Sequence, residues 1–108
     1  MCTITGTAGD DVLVGTPGDD VMCGRRGHDV VRGGGGTDTI IGGEGDDVAV
    51  GGPGRDIVSG GPGSDALWGG HGRDHLSSRD GESGNDTVHG GGGVDLCLSD
   101  PGHAVEGC

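Results

Sequence analysis

Ten aspartates recur at one fixed place in a repeating unit: Asp11, Asp20, Asp29, Asp38, Asp47, Asp56, Asp65, Asp74, Asp86 and Asp95. Each follows one glycine by five residues and a second glycine by two. A carboxylate held at that interval beside a glycine-rich turn suits a hard cation. Such an ion takes about six to eight oxygens at about 2.3–2.6 Å. One short loop with one carboxylate cannot surround it. Glycine lets main-chain carbonyls turn toward a common point, and two stacked loops can share the ion between them.

The unit is nine residues long and runs from GTAGDDVLV at Gly6 through GGEGDDVAV, GGPGRDIVS and GGPGSDALW to GGGGVDLCL, which ends at Leu98. Positions 1 and 4 are glycine and position 6 is aspartate in all ten units. Position 8 is always apolar: Leu13, Met22, Val31, Ile40, Ala49, Val58, Leu67, Leu76, Val88 and Cys97. Positions 7 to 9 are rich in Val, Ile, Leu and Thr, which favours a short strand. Three residues do not hold together as an isolated strand. They do when identical strands stack along a solenoid, about 4.8 Å apart. Alternation then turns position 8 inward and positions 7 and 9 outward.

Composition narrows the functions. The 108 residues include thirty glycines and one aromatic, too little apolar material for an ordinary core. Without a period, such a chain reads as disordered; the period makes it a repeat fold. Net charge is −12, from eighteen acids against six arginines and no lysine. That balance disfavours nucleic acid, which calls for a basic footprint, and favours cations. No apolar run is long enough for a membrane span or a leader peptide. No serine–histidine–acid set is suggested, and the glycine-rich loops end in Asp rather than the lysine of a phosphate loop, so no enzyme is expected. The five histidines fall at unrelated repeat positions and read as surface residues. Asp10, Asp19 and Asp46 at position 5 read as solvated loop charges, because His28, Thr37, Arg55 and Val94 fill that position elsewhere.

The cysteines lie in two terminal pairs, and sequence proximity favours Cys2–Cys23 and Cys97–Cys108 among the three connectivities. End staples of this kind belong in an oxidising compartment. Zinc is the competing reading, but there is no CxxC pair. Met1 directly before Cys2 reads as a start residue on a trimmed mature domain.

The pattern GGxGxDxUx, where U is apolar, resembles the RTX nonapeptide, the haemolysin-type calcium-binding repeat. The resemblance covers residues 6–98. It implies an all-β fold: a right-handed parallel β-roll (a β-solenoid) with two nonapeptides per turn, about five turns, and calcium between loops of repeats n and n+2. Odd repeats then stack Asp11, Asp29, Asp47, Asp65 and Asp86 along one edge. Even repeats stack Asp20, Asp38, Asp56, Asp74 and Asp95 along the other. Four gaps per edge imply about eight calcium ions. The other ligands implied are loop carbonyls, among them Gly33, Gly35, Gly42, Gly43, Gly45, Gly51, Gly52, Gly54, Gly60, Gly61, Gly63, Gly69, Gly70 and Gly72.

Departures from the pattern mark weaker sites. Thr7, Thr16 and Arg25 replace glycine at position 2, and Arg25 and Arg26 add two positive charges to the third loop. Ser78, Arg79 and Asp80 are inserted before the ninth repeat, whose position 2 is Glu82. Asp80, Glu82 or Asn85 is a further ligand candidate there. The expected organisation is a partial turn over 1–5, the roll over 6–98 and a cap over 99–108.

The expected function is calcium-coupled folding of a module outside the cell or at its surface, in bacteria as the resemblance implies. Export by a cleaved N-terminal leader suits the cysteines. The alternatives are a self-assembling filament or surface-layer component, and a segment that aids secretion of a larger protein. Self-association has two routes: the solenoid ends, and an outward apolar row of Val12, Val14, Val30, Val48, Val50 and Trp68. The bland reading of that row is that β-branched residues suit strands. An ice-binding role would call for an outward Thr or Asn row, which is missing.

Overall fold

The computed structural model describes residues 2–78, 86–93, 96–98 and 104–106. Among these there are strands and turns but no helix. The strands are β1 (Ile4–Thr5), β2 (Val12–Val14), β3 (Val21–Cys23), β4 (Val30–Arg32), β5 (Thr39–Ile41), β6 (Val48–Val50), β7 (Ile57–Ser59), β8 (Ala66–Trp68), β9 (His75–Ser77), β10 (Thr87–His89), β11 (Leu96–Leu98) and β12 (Ala104–Glu106). Each from β2 to β11 is the last third of one nonapeptide.

Strands alternate between two six-stranded parallel sheets, ordered β1-β3-β5-β7-β9-β11 and β12-β10-β8-β6-β4-β2. Each strand pairs with the strand one full coil away, so Val31 lies beside Ala49 and Ala49 beside Leu67. The result is a β-solenoid of about five turns. The ladders continue into the loops. The carbonyls of the position-6 aspartates from Asp11 to Asp74 accept from the next coil, as in Val30 N–H to Asp11 O at 2.9 Å. The amides of the position-1 glycines from Gly6 to Gly69 donate likewise, as in Gly24 N–H to Ile41 O at 2.9 Å.

The register absorbs the three-residue insertion. Thr87 pairs with Ala66 and His89 with Trp68, a step of 21 instead of 18. Strand β12 joins the sheet beside β10, with Val88 opposite Val105. It does so one residue early: counting by nines puts Ala104 at the aspartate position, but Ala104 pairs with Thr87, a step of 17, and so takes the first strand position.

The core is one side chain wide per repeat. Met22, Val31, Ile40, Ala49, Val58, Leu67, Leu76 and Val88 are all fully buried and form a single cluster. Ile4, Leu13 and Cys97 pack against its two ends. Positions 7 and 9 face outward, with Val12 73% and Val14 64% exposed. Val30, Val48 and Val50 on the same face are half-buried. Trp68 stacks on His89, with ring centroids 5.0 Å apart.

Cys2 and Cys23 form a disulfide, with Cα atoms 6.0 Å apart, tying the N-terminal turn to β3. This removes the zinc alternative for that pair. The Cys97–Cys108 pairing falls on a residue outside the described ones.

Burial in so thin a core predicts a sharp contrast between faces. In calcium, Leu67→Ala should lower unfolding stability by about 3 kcal/mol through a cavity that neighbouring coils cannot close. Val12→Ala on the outward face should change it by less than about 0.5 kcal/mol. Denaturant titration checks both, and equal losses would contradict the assignment of faces.

Candidate metal centre

The glycine–aspartate loops stack into two columns, one along each edge. In each column a position-6 carboxylate accepts the backbone N–H of the aspartate one coil before it. Along one edge Asp11 donates to Asp29 Oδ1 at 2.8 Å, Asp29 to Asp47 at 2.9 Å, Asp47 to Asp65 at 2.8 Å and Asp65 to Asp86 at 2.6 Å. Along the other, Asp20 donates to Asp38, Asp38 to Asp56 and Asp56 to Asp74, each at 2.9 Å. Nine of the ten aspartates are thereby brought together as expected. Asp95 lies outside the described residues, as do Asp80, Glu82 and Asn85.

One oxygen of each accepting carboxylate is thus committed to the fold. In five of them the other is not. Oδ2 of Asp29, Asp38, Asp47, Asp56 and Asp65 is buried and accepts no hydrogen bond. Burying a carboxylate oxygen unanswered is costly, and native structures rarely do so without an ion or water.

The position-1 glycines explain where these oxygens face. A Cβ built on Gly24 would lie 2.6 Å from Asp29 Oδ2 and 2.6 Å from the Gly42 carbonyl oxygen. On Gly33 it would meet Asp38 Oδ2 at 2.6 Å and Gly51 O at 2.7 Å. On Gly51 it would meet Asp56 Oδ2 at 2.6 Å and Gly69 O at 2.8 Å. Any side chain here would fill the space where a carboxylate and a carbonyl from two successive coils converge. Each cradle is therefore an all-oxygen donor set kept open by glycine, the kind a hard cation takes. Among the described residues no three His, Cys, Asp or Glu side chains gather as a metal cluster. Beside its one carboxylate, a cradle offers main-chain oxygens.

The expected carbonyl donors fall into distinct places. Gly33, Gly42, Gly51, Gly60 and Gly69 border the cradles, and Gly24 and Gly90 do so as well. The position-1 rule covers those two, although they were not among the named donors. At position 2, Gly43, Gly52, Gly61 and Gly70 are left-handed, as are Gly45, Gly54, Gly63 and Gly72 at position 4. Gly35 sits at the loop tip, its missing side chain facing Pro17.

The first loops solve the same problem differently. Thr7 donates its backbone N–H to Asp11 Oδ2 at 2.6 Å and its hydroxyl to the same carboxylate at 3.0 and 3.1 Å. Thr16 does likewise with Asp20, at 2.7 Å and twice at 3.1 Å. Each hydroxyl also accepts from the position-4 glycine amide. These aspartates are answered from within their own loop. Arg25 carries φ 75°, the only left-handed non-glycine among the described residues, at a conformational cost of about 1 kcal/mol. Its neighbour Arg26 reaches Glu44 at 3.4 Å across two exposed side chains.

Position 5 forms a second, outer ladder. The exposed Asp10, Asp19 and Asp46 carboxylates accept the backbone N–H of His28, Thr37 and Ser64 at 2.8, 2.7 and 2.8 Å. His28 Nδ1 accepts from the Asp46 amide at 3.1 Å. These acids are exposed as expected, but they also hold peptide groups of the next coil. Alternation between carboxylates and other types had masked that.

A family model described as the RTX calcium-binding nonapeptide repeat matches residues 3–31, 24–49, 32–66, 50–81 and 80–103. The chain belongs to this calcium-binding repeat family. No curated protein and no solved structure matches it.

Packing acids in a column shifts their titration. Burial pushes the Asp47 and Asp56 carboxyls up to about 7 and Asp65 to about 8. The donated amide opposes the shift, and the like charge one coil away adds to it. Asp29 and Asp38 are raised for the same leading reason. A raised carboxyl stabilises the fold while protonated. That contribution is full below the ordinary range near 4 and is lost as pH climbs through 7 to 8. In chelator, acidification from about pH 8 to about pH 5 should therefore increase β structure measured by circular dichroism. A fall in β structure over that window would contradict the buried column.

Proposed function

We propose that this chain is an extracellular or cell-surface, non-catalytic calcium module, of bacterial type, whose folding is coupled to loading of its loops. The observation that carries the reading is the row of buried aspartate oxygens without hydrogen bonds, those of Asp29, Asp38, Asp47 and Asp56 facing a carbonyl of the next coil across a bare glycine. The donors we assign are the position-6 carboxylates with the loop carbonyls that border each cradle. Bound calcium supplies the positive charge that lets closely spaced carboxylates stay ionised. About eight ions suit the two columns, and at two charges each they more than offset the net −12.

Coupling follows from the thin core. One buried side chain per nine residues is too little apolar burial to offset the entropy of ordering a glycine-rich chain. A ligand that binds only the folded form stabilises it by mass action. The pairing of Cys2 with Cys23 suits an oxidising, calcium-rich setting, where such modules work at about 10⁻⁴–10⁻³ M calcium.

Circular dichroism tests this directly. At neutral pH the chelated chain should lack most of its β signal, and millimolar calcium should restore it cooperatively. Full β structure in chelator, with melting unchanged by calcium, would overturn the coupling.

A further inference from the structure

The even edge carries something the calcium reading does not use. Its position-5 column holds Asp19, Thr37, Arg55 and Arg73, whereas the odd edge places Asp10, His28, Asp46 and Ser64 there. Arg55 and Arg73 sit one coil apart in register, fixed by the pairing of Ile57 with His75 two residues later. Successive coils are about 4.8 Å apart. Both side chains are exposed, and neither makes a salt bridge among the described residues. The adjacent acids do not answer them. Asp56 and Asp74 turn inward, buried, each accepting an amide of the coil before.

Two like charges stacked in register repel one another. In a chain this acidic, they stand out as cations without an ion pair among the described residues. They also border a cleft of about 620 Å³ lined by Thr37, Arg55, Ile57, Arg73, His75 and Leu96, and by the carboxylate residues Asp56 and Asp74. Ile57 is 50% and Leu96 53% exposed, on either side of His75 in one outward row. The cleft thus joins two guanidiniums, and two carboxylates that the calcium reading neutralises, to a floor of Ile57, His75 and Leu96.

We propose that this cleft binds a tetrahedral oxyanion carried on an apolar stem, a sulfate or phosphate monoester. Guanidinium forks from two coils suit an anion that presents several oxygens at once, and Ile57 and Leu96 suit the stem. The inference rests on the calcium reading in one respect. The two arginines are in register only when their loops are stacked, so anion binding should require the loaded fold. Calcium in the loops would also relieve the acidic field that opposes an anion.

The test uses the full chain in millimolar calcium, titrated with hexyl sulfate, with inorganic sulfate and with vesicles containing phosphatidic acid. Hexyl sulfate should bind more tightly than inorganic sulfate and shift the side-chain Nε–H signals of Arg55 and Arg73. Vesicle binding would mark a lipid headgroup as the source, and soluble ester alone a free one. The pair Arg55→Thr and Arg73→Thr places in both loops the residue found at position 37, and should weaken binding about tenfold or more. Arg26→Gln on the other edge should leave it unchanged. Binding by the double variant within about twofold of the parent would overturn the site, as would unmoved arginine signals in the parent chain. A chain folded in calcium that binds no ester sinks the anion site alone. A chain folded and binding ester in chelator sinks only the calcium dependence.

Discussion

Everything in this solenoid depends on how one carboxylate divides its two oxygens. The first accepts the peptide N–H of the coil before it and locks the stacking distance. The second is left buried against a glycine face, near a carbonyl that repels it. A fold that made only the first contact would be at odds with itself. Aspartate has the length for both tasks, since its carboxylate stays close to the backbone. Glycine at position 1 is the matching half, because a Cβ there would occupy the shared space.

The hydrophobic part of the structure is correspondingly small. Eight fully buried side chains, one per coil half, align the two sheets without dominating them. Backbone hydrogen bonds run from the strands into the loops at positions 6 and 1, so strand and cradle form one ladder. Whatever orders the loops therefore orders the strands. The N-terminal end differs from the middle in how it answers its carboxylates. Thr7 and Thr16 supply hydroxyls, and a disulfide ties the first turn to β3. The N-terminal coil is held by groups of the chain itself, while the central coils leave their oxygens open.

Much of this was legible in the sequence because repetition makes structure periodic. Invariant apolar residues at position 8 marked the core, and invariant Asp at position 6 marked both columns. Other features were hidden where the repeat varies. The outer ladder at position 5 mixes Asp with His, Thr and Ser, and a backbone N–H on the partner side leaves no trace in residue type. The hydroxyl–carboxylate contact of Thr16 with Asp20 looked like a mere loss of glycine. Strand β12 lacks the motif altogether. It forms because parallel pairing beside β10 needs only backbone groups in register.

The most direct measurement is the effect of Asp56→Asn on stability, with and without calcium. Asparagine keeps an oxygen for the Asp38 amide and removes the charge from the buried side. If the carboxylate exists for a cation, the substitution should raise β content in chelator and lower the unfolding midpoint in calcium. If the aspartate merely shapes the turn, the change will have one sign in both conditions, and the column of carboxylates will need another explanation.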